Sequence, residues 1–465
     1  MSVTREQIAL DFQYGKPADS GLRDAAASEN KSLPIHRWVP WIAGFSAQFV
    51  QDVISSYVPK SRPSERLILD PFAGVGTTLI EALKAGYQTI GYEINPFAAL
   101  VATAKVDCLG VHPVEFAAEV EAFRNSMLRF EDEIDRRWAA GSKDFSIGID
   151  DLNRLQPDGF KSRVPFFSPP VEAKFLYALA RTQVLLQPDR NLFRAALGAT
   201  MVSVSNYSYE PSLATRPGSG KALIENASVA TVVSRKLQEV LTDIEWVRQN
   251  YAYQWLPLRR EVLEDSYFNS NLGRGSVSLV ITSPPYMNNY HYVRNTRPQL
   301  YWLGLVANGH VNQLEQASFG KFWQTVRQGS RVEMEFESDS VKDMLDALRV
   351  KNPDKGYYGG SGWANYVATY LNDTHKFIRQ LKRQLKPGGR AVIVIGNSII
   401  QGIEFRVDQM IAEMAEEQRL KVQDIHMVRT KRVGTSIIDS SVRNGDSNGH
   451  RQKTQLYDAA VILRR

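Results

Sequence analysis

The chain has 465 residues, 43% hydrophobic and 23% charged, which fits a globular protein with one large α/β domain and a second module. A net charge of +6 and a pI near 9.1 suit a polyanionic partner, though the basic residues are spread along the chain. The single cysteine, Cys108, excludes an internal disulfide and a cysteine-rich zinc site, and no apolar run is long enough for a transmembrane helix.

The N-terminus, Met1 to Lys16, lacks the apolar core of a secretory leader, so a reducing cytoplasm is the expected compartment. Arg66-Leu-Ile-Leu-Asp70 reads as a strand leading into a glycine loop. A helix from Thr78 to Ala85 stops at Gly86, and Gln88 to Glu93 is the next strand. From Gly110 to Gln254 the pattern is mainly helical. Val114 to Trp138 predicts one long helix, Val171 to Leu186 and Asn191 to Val204 two more, and Ser208 to Gly220 a loop or hinge. Val277 to Thr282 is again a strand, running into Ser283-Pro-Pro-Tyr286. Leu303 to Gly362 is irregular and ends in Lys355-Gly-Tyr-Tyr-Gly-Gly-Ser-Gly362, expected as a mobile loop. Arg390 to Gly396, Val422 to Val428 and Tyr457 to Leu463 are the last strands.

Strands alternating with helices predict an α/β fold, a mostly parallel sheet with helices on both faces. The expected division is an N-terminal segment, 1–64, and a sheet domain built from 65–109, 255–302 and 363–465. A helical insertion, 110–254, and a second insertion, 303–362, are the candidates for contacting a macromolecular target.

Asp70-Pro-Phe-Ala-Gly-Val-Gly-Thr-Thr78 is the first motif with chemical content. Gly74 and Gly76 permit a tight turn and close backbone approach to a ligand, and the following helix offers free N–H groups to a carboxylate. Glu93 ends the next strand, where an acid can accept from both ribose hydroxyls. No Gly-Lys-Ser/Thr follows, and the full Gly-x-Gly-x-x-Gly is missing, which favours a nucleoside without a diphosphate.

The second motif is Thr282-Ser-Pro-Pro-Tyr286. It resembles motif IV of the S-adenosylmethionine-dependent DNA amino-methyltransferases, in the Ser-Pro-Pro-Tyr form typical of cytosine-N4 members, and Asp70 to Thr78 resembles their motif I. Ile35-His-Arg-Trp-Val-Pro-Trp-Ile-Ala-Gly-Phe-Ser46 is similar to motif X, which caps the methionine end of the cofactor, and Glu264-Asp-Ser266 to the motif III acid that meets the adenine amine. Asn289 to Gly304 and Leu385-Lys-Pro-Gly-Gly389 with Ile395-Gly-Asn-Ser398 resemble later segments. Motifs X and I precede motif IV, unlike the subgroup in which motif IV comes first.

The resemblance implies a Rossmann-like methyltransferase sheet of about seven strands with one antiparallel terminal strand. It implies S-adenosylmethionine as methyl donor and double-stranded DNA with a flipped target base as substrate; the seven histidines show no metal-ligand spacing, so no metal is expected. A cognate restriction endonuclease or defence subunit is an expected partner. The implied cofactor residues are Phe45, Ser46, Asp70, Pro71, Phe72, Gly74, Gly76, Thr77, Thr78, Glu93, Asp265 and Ser266. The implied catalytic residues are Ser283, Pro284, Pro285 and Tyr286, and His291, Tyr292, Arg294 and Arg297 are candidates for DNA contact.

The chemistry suits these residue types. An exocyclic base amine is a poor nucleophile because its lone pair is delocalised into the ring. Two acceptors, the Ser283 Oγ and the Pro284 carbonyl, can take both amine protons and localise that pair. Paired prolines pre-aim the loop, and Tyr286 offers a ring face to an extruded base. Carbon-5 methylation needs a cysteine nucleophile, whereas Cys108 sits in Val106-Asp-Cys-Leu109 and reads as a buried residue. Phe167-Ser-Pro-Pro170 repeats the tripeptide without a preceding strand or a following tyrosine and reads as a decoy. Trp38 and Trp41 read as core residues. The rival readings are an adenine-N6 methyltransferase of DNA, a guanine-N2 methyltransferase of RNA, and a non-catalytic DNA-binding scaffold.

Overall fold

The computed structural model describes residues 21–41, 44, 46–145, 157–209, 213–288, 290, 292–307, 310–431 and 456–465. In chain order the elements begin with α1 (Ala47–Tyr57), β1 (Leu67–Asp70), α2 (Thr77–Lys84), β2 (Gln88–Tyr92) and α3 (Pro96–Val106). A mainly helical stretch follows: α4 (Pro113–Ala139), α5 (Pro169–Gln183), α6 (Asp189–Thr200), the strands β3 (Tyr207–Tyr209) and β4 (Leu213–Thr215), and α7 (Val229–Trp255). The chain returns to the sheet through β5 (Arg260–Leu263) and β6 (Val277–Thr282), then leaves through α8 (Tyr292–Trp302), α9 (His310–Ala317), α10 (Trp323–Val326) and α11 (Asp339–Arg349). The last elements are α12 (Gly360–Gln384), β7 (Leu385–Gly396), β8 (Ser398–Ile400), β9 (Ile403–Phe405), α13 (Val407–Glu417), β10 (Lys421–Lys431) and β11 (Leu456–Arg464).

Seven strands form one sheet in the order β10-β11-β7-β6-β1-β2-β5. All its pairs are parallel except those of β11, which runs antiparallel to both β10 and β7. This is a Rossmann-like methyltransferase fold. Its strands are apolar at successive positions because helices cover both faces. Ile68, Leu279, Ile281, Val392 and Val394 pack with α1, while Leu69, Val280, Ile393 and Ile395 pack with α12 and α13. From β1 the chain moves outward to β2 and β5 on one side and to β6 and β7 on the other. That reversal opens a crevice beyond the carboxyl ends of β1 and β6.

Several local expectations change. Ser208 to Gly220, expected as a loop, contributes to a small antiparallel pair, Tyr207↔Thr215 to Tyr209↔Leu213. Tyr209 and Leu213 are anchored on α8: the Tyr209 hydroxyl donates to the Asn295 carbonyl at 3.0 Å, and the Leu213 N–H donates to Asn295 Oδ1 at 3.2 Å. Three of the four glycines in Lys355 to Gly362 are packing residues, Gly359, Gly360 and Gly362, while Gly356 is exposed with open space around it. Gly360 and Gly362 sit in the first turn of α12, where a Cβ would overlap the carbonyls of Leu348 and Tyr357. Lys-Pro-Gly-Gly389 lies inside β7, which begins directly after α12. Phe167-Ser-Pro-Pro170 opens α5, with Ser168 at the N-cap and prolines in the first turn, where a missing N–H costs nothing.

Candidate active site

The glycine loop takes its shape from two left-handed residues. Gly74 has φ 52° and Gly76 φ 86°, a region that side-chain-bearing residues rarely occupy. A Cβ on Gly74 would lie 3.3 Å from Trp41 Nε1, and one on Gly76 would lie 3.3 Å from the Ala102 Cβ. Gly76 is the N-cap of α2, so the helix start is presented beside the loop. The Glu93 carboxylate closes the turn from β2. It accepts from the Gly74 N–H at 2.8 Å through Oε2 and from the Asn95 N–H at 2.8 Å through Oε1. Burial pushes its pKa up to about 7, against the pull of those two donors.

One bond joins the glycine loop to the Ser-Pro-Pro-Tyr loop. The Thr282 hydroxyl donates to Asp70 Oδ1 at 2.7 Å, across 212 positions of sequence. Asp70 also accepts from the Phe72 N–H at 3.1 Å. Burial raises its pKa to about 6, and these donors together with Thr78 resist the rise. The Thr78 hydroxyl donates to the Ile281 carbonyl at 3.3 Å, a second link between the same strand ends. Beyond Thr282 the loop is held from α12, where the Tyr370 hydroxyl donates to the Pro285 carbonyl at 2.8 Å. Burial, with the Asp458 carboxylate nearby, keeps the Tyr286 hydroxyl well above its usual pKa of 10.0.

A single cavity of about 330 Å³ takes in both loops. Of the sequence-derived residues, Asp70, Pro71, Phe72, Gly74, Thr77, Glu93, Asp265, Ser266, Ser283, Pro284, Pro285, Tyr286 and Tyr292 line it. Gly76 and Thr78 stand behind the wall, shaping α2 and tying it to β6. Ser46 caps α1, its Oγ accepting from the Phe49 N–H. Arg294 is exposed on α8 away from the cavity, and Arg297 lies over the rings of Phe160 and Tyr301 at 5.7 and 5.5 Å. Phe45 and His291 lie outside the described residues. Cys108 is fully buried, which pushes its thiol up to about 12.

Trp41 corrects a sequence expectation. It lines the cavity against Gly74, whereas Trp38 is in the core as expected. The short turn His36–Trp38 is held from α7, where Asp243 accepts from the Ile35 N–H at 2.7 Å, the Trp38 indole at 2.9 Å and the Arg37 guanidinium at 2.5 Å. On the other side His36 bonds Glu81 of α2 at 2.7 Å. The long helix α7 therefore buttresses the segment that carries Trp41. Asp458, Arg429, Tyr370, Asn95, Phe268 and Phe319 also line the cavity, and the motifs did not foretell them. Asp458 had a signal, as an acid inside Tyr457-Asp-Ala-Ala-Val-Ile-Leu463. Among the described residues no group of three or more His, Cys, Asp or Glu side chains is placed to hold a metal ion.

Fold and site define a class: a Rossmann-like α/β enzyme whose crevice joins a nucleoside-type glycine loop to a proline-stiffened acceptor loop. Residues 23–104 match the DNA methylase family model of N6 and N4 enzymes. The chain is 23% identical over 431 residues to the type II methyltransferase M.BsoBI of Geobacillus stearothermophilus, covering 88% of this chain and 82% of that protein. It is 24% identical over 437 residues to M.AvaI of Anabaena variabilis, covering 88% and 83%, and 22% identical over 428 residues to M.MvaI of Kocuria varians, covering 88% and 87%. These matches support an S-adenosylmethionine-dependent DNA amino-methyltransferase family. The family implies S-adenosylmethionine as methyl donor and DNA as substrate. No described helix is long and apolar enough to cross a membrane.

Proposed function

We propose that this DNA methyltransferase acts on the exocyclic N4 amine of a cytosine extruded from double-stranded DNA, as the modification arm of a restriction-modification system with a cognate endonuclease. The observation that carries the reading is the Asp70–Thr282 bond, which brings a nucleoside-type loop and an amine-accepting loop to one cavity. Serine at the first position of Ser283-Pro-Pro-Tyr286 favours cytosine over adenine. The type II names of the relatives favour restriction-modification.

The residues present fit the methyl donor. Each Glu93 oxygen holds one backbone N–H and keeps a further lone pair, so a ribose diol can complete its partners. Trp41 walls the glycine loop, and Asp265 with the Phe268 ring faces the same cavity further along, suited to an adenine amine and ring. Bound there, S-adenosylmethionine supplies a sulfonium methyl open to direct displacement.

The chain's own work is on the base. The Ser283 Oγ and the Pro284 carbonyl accept from the two amine protons and bring out the nitrogen lone pair. Tyr370 fixes the loop through the Pro285 carbonyl, so the acceptors need no rearrangement during reaction. Tyr286 gives the base a ring to stack on, and Tyr292 closes the pocket behind it. Alignment of amine and methyl supplies most of the rate, and no strong base is needed. Nucleoside mass spectrometry of DNA digested after incubation with protein and donor tests the reading. N4-methylcytosine is expected, and N6-methyladenine as the sole product would overturn the choice of base.

A further inference from the structure

One cation on the cavity wall has no protein partner. Among the described residues the cationic side chains lining the cavity are Lys321 and Arg429, beside the acids Asp70, Glu93, Asp265, Glu315 and Asp458. Lys321 Nζ donates to the Gln316 carbonyl. Arg429 is exposed, and among the described residues it makes no hydrogen bond or ion pair.

The sheet sets the place of Arg429. Strand β10 is at the edge and, like β7, runs antiparallel to β11, so its carboxyl end opens on the crevice. The β10–β11 register shifts between Met427 and Arg429, which leaves Val428 as an extra residue in β10. In an unshifted ladder Arg429 would stand opposite Tyr457, whose hydroxyl bonds Asp408 of α13. The bulge sets it opposite Asp458 instead, and both side chains line the cavity.

Neighbouring strands lie about 4.8 Å apart, so Arg429 stands about 14 Å from the row of β6, which carries the acceptor loop, and about 19 Å from that of β1, which carries the glycine loop. A donor carboxylate held at the glycine loop is therefore beyond the reach of an arginine side chain. A base whose amine sits between Ser283 and Pro284 trails its sugar and phosphates outward, to the mouth of the cavity where Arg429 is exposed. A guanidinium with its donors free suits a phosphate, which it can hold through paired N–H bonds.

We propose that Arg429 is a DNA-binding residue that grips a phosphate flanking the extruded nucleotide and so holds the base in line with the donor methyl. The inference rests on the amine-methylation reading and names a DNA contact of that same site.

Equilibrium binding to a short fluorescent duplex tests it, the duplex carrying the sequence that the wild-type protein marks on plasmid DNA. Arg429→Gln is expected to weaken binding about tenfold and to lower the steepness of log affinity against log salt by about one, the loss of one phosphate contact. Arg429→Lys, which keeps the charge, should restore that steepness. A neutral methylphosphonate at one of the phosphates flanking the target nucleotide should cost the wild type about tenfold and cost Arg429→Gln nothing. Affinity for S-adenosylmethionine without DNA should stay within about twofold of wild type, because distant sites do not couple. The inference fails if the salt dependence is unchanged in Arg429→Gln, or if the methylphosphonate weakens variant and wild type by the same factor. It fails equally if Arg429→Gln loses donor affinity in the absence of DNA, which would give the guanidinium to the donor carboxylate. A wild-type protein that marks no DNA sequence sinks the functional reading and this inference with it. A marked sequence with an unchanged salt dependence sinks this inference alone.

Discussion

Thr282→Val removes the bond that joins the two loops while keeping the side-chain shape. Asp70 is 1% exposed and its pKa stands at about 6 in the fold against 3.8 for the free side chain. A carboxyl raised by folding is favoured in its neutral form. Its burial therefore costs nothing below about pH 4, and the cost grows to about 3 kcal/mol as pH rises through about 6. The Thr282 hydroxyl, at 2.7 Å, is one of the donors that limit this cost. Losing it from an ionised acceptor is worth about 2–3 kcal/mol, and from a neutral one about 1 kcal/mol. Urea unfolding of wild type and variant should thus differ by about 2–3 kcal/mol at pH 8 and by about 1 kcal/mol at pH 5. Single-turnover transfer should fall with it, since the acceptor loop loses its tie to the cofactor loop. Equal differences at the two pH values, or one below about 0.5 kcal/mol at pH 8, would refute the reasoning.

Glu93 gives a second pH effect. Its pKa of about 7 leaves it roughly one-tenth ionised at pH 6 and nine-tenths at pH 8, so titration calorimetry should show donor binding about tenfold tighter at pH 8, with proton release near pH 7. A flat profile would contradict the role, and Glu93→Gln should abolish the slope. Lys105 is fully buried, its Nζ has no hydrogen-bond partner among the described residues, and burial lowers its pKa to about 7. The unfolded chain then holds more protons between pH 7 and about 10.5, so stability rises with pH over that window. Lys105→Met should stabilise the protein by a few kcal/mol at pH 7, roughly, and flatten that rise in denaturant unfolding. Gly74→Ala forces a side chain into a left-handed turn against Trp41, and should weaken donor binding about tenfold with little change in melting temperature.

The two loops were legible because buried parallel strands are short apolar runs, and Leu-Ile-Leu-Asp70 and Leu-Val-Ile-Thr282 are each followed by glycine or proline turn signals. Strand β5 was not, since Arg260 to Leu263 is half-exposed at the sheet edge and shows neither an apolar run nor alternation. The β3–β4 pair hid behind its turn residues, and it holds its place through Asn295, more than eighty positions away. Trp41 was assigned to the core because its spacing from Trp38 suits a helix face. The chain there makes only a short turn, which Asp243 and Glu81 fix from distant helices. Bonds such as Asp70–Thr282 and Tyr370–Pro285 lie outside any local pattern, because the sheet order alone brings their partners together.

Single-molecule sequencing of plasmid DNA from cells expressing either the wild-type protein or its Ser283→Ala variant tests the shared site most directly. The wild type should leave N4-methylcytosine at one recurring sequence, and the variant should leave almost none. Marks on adenine, or cytosine marks that persist in the variant, would contradict the account.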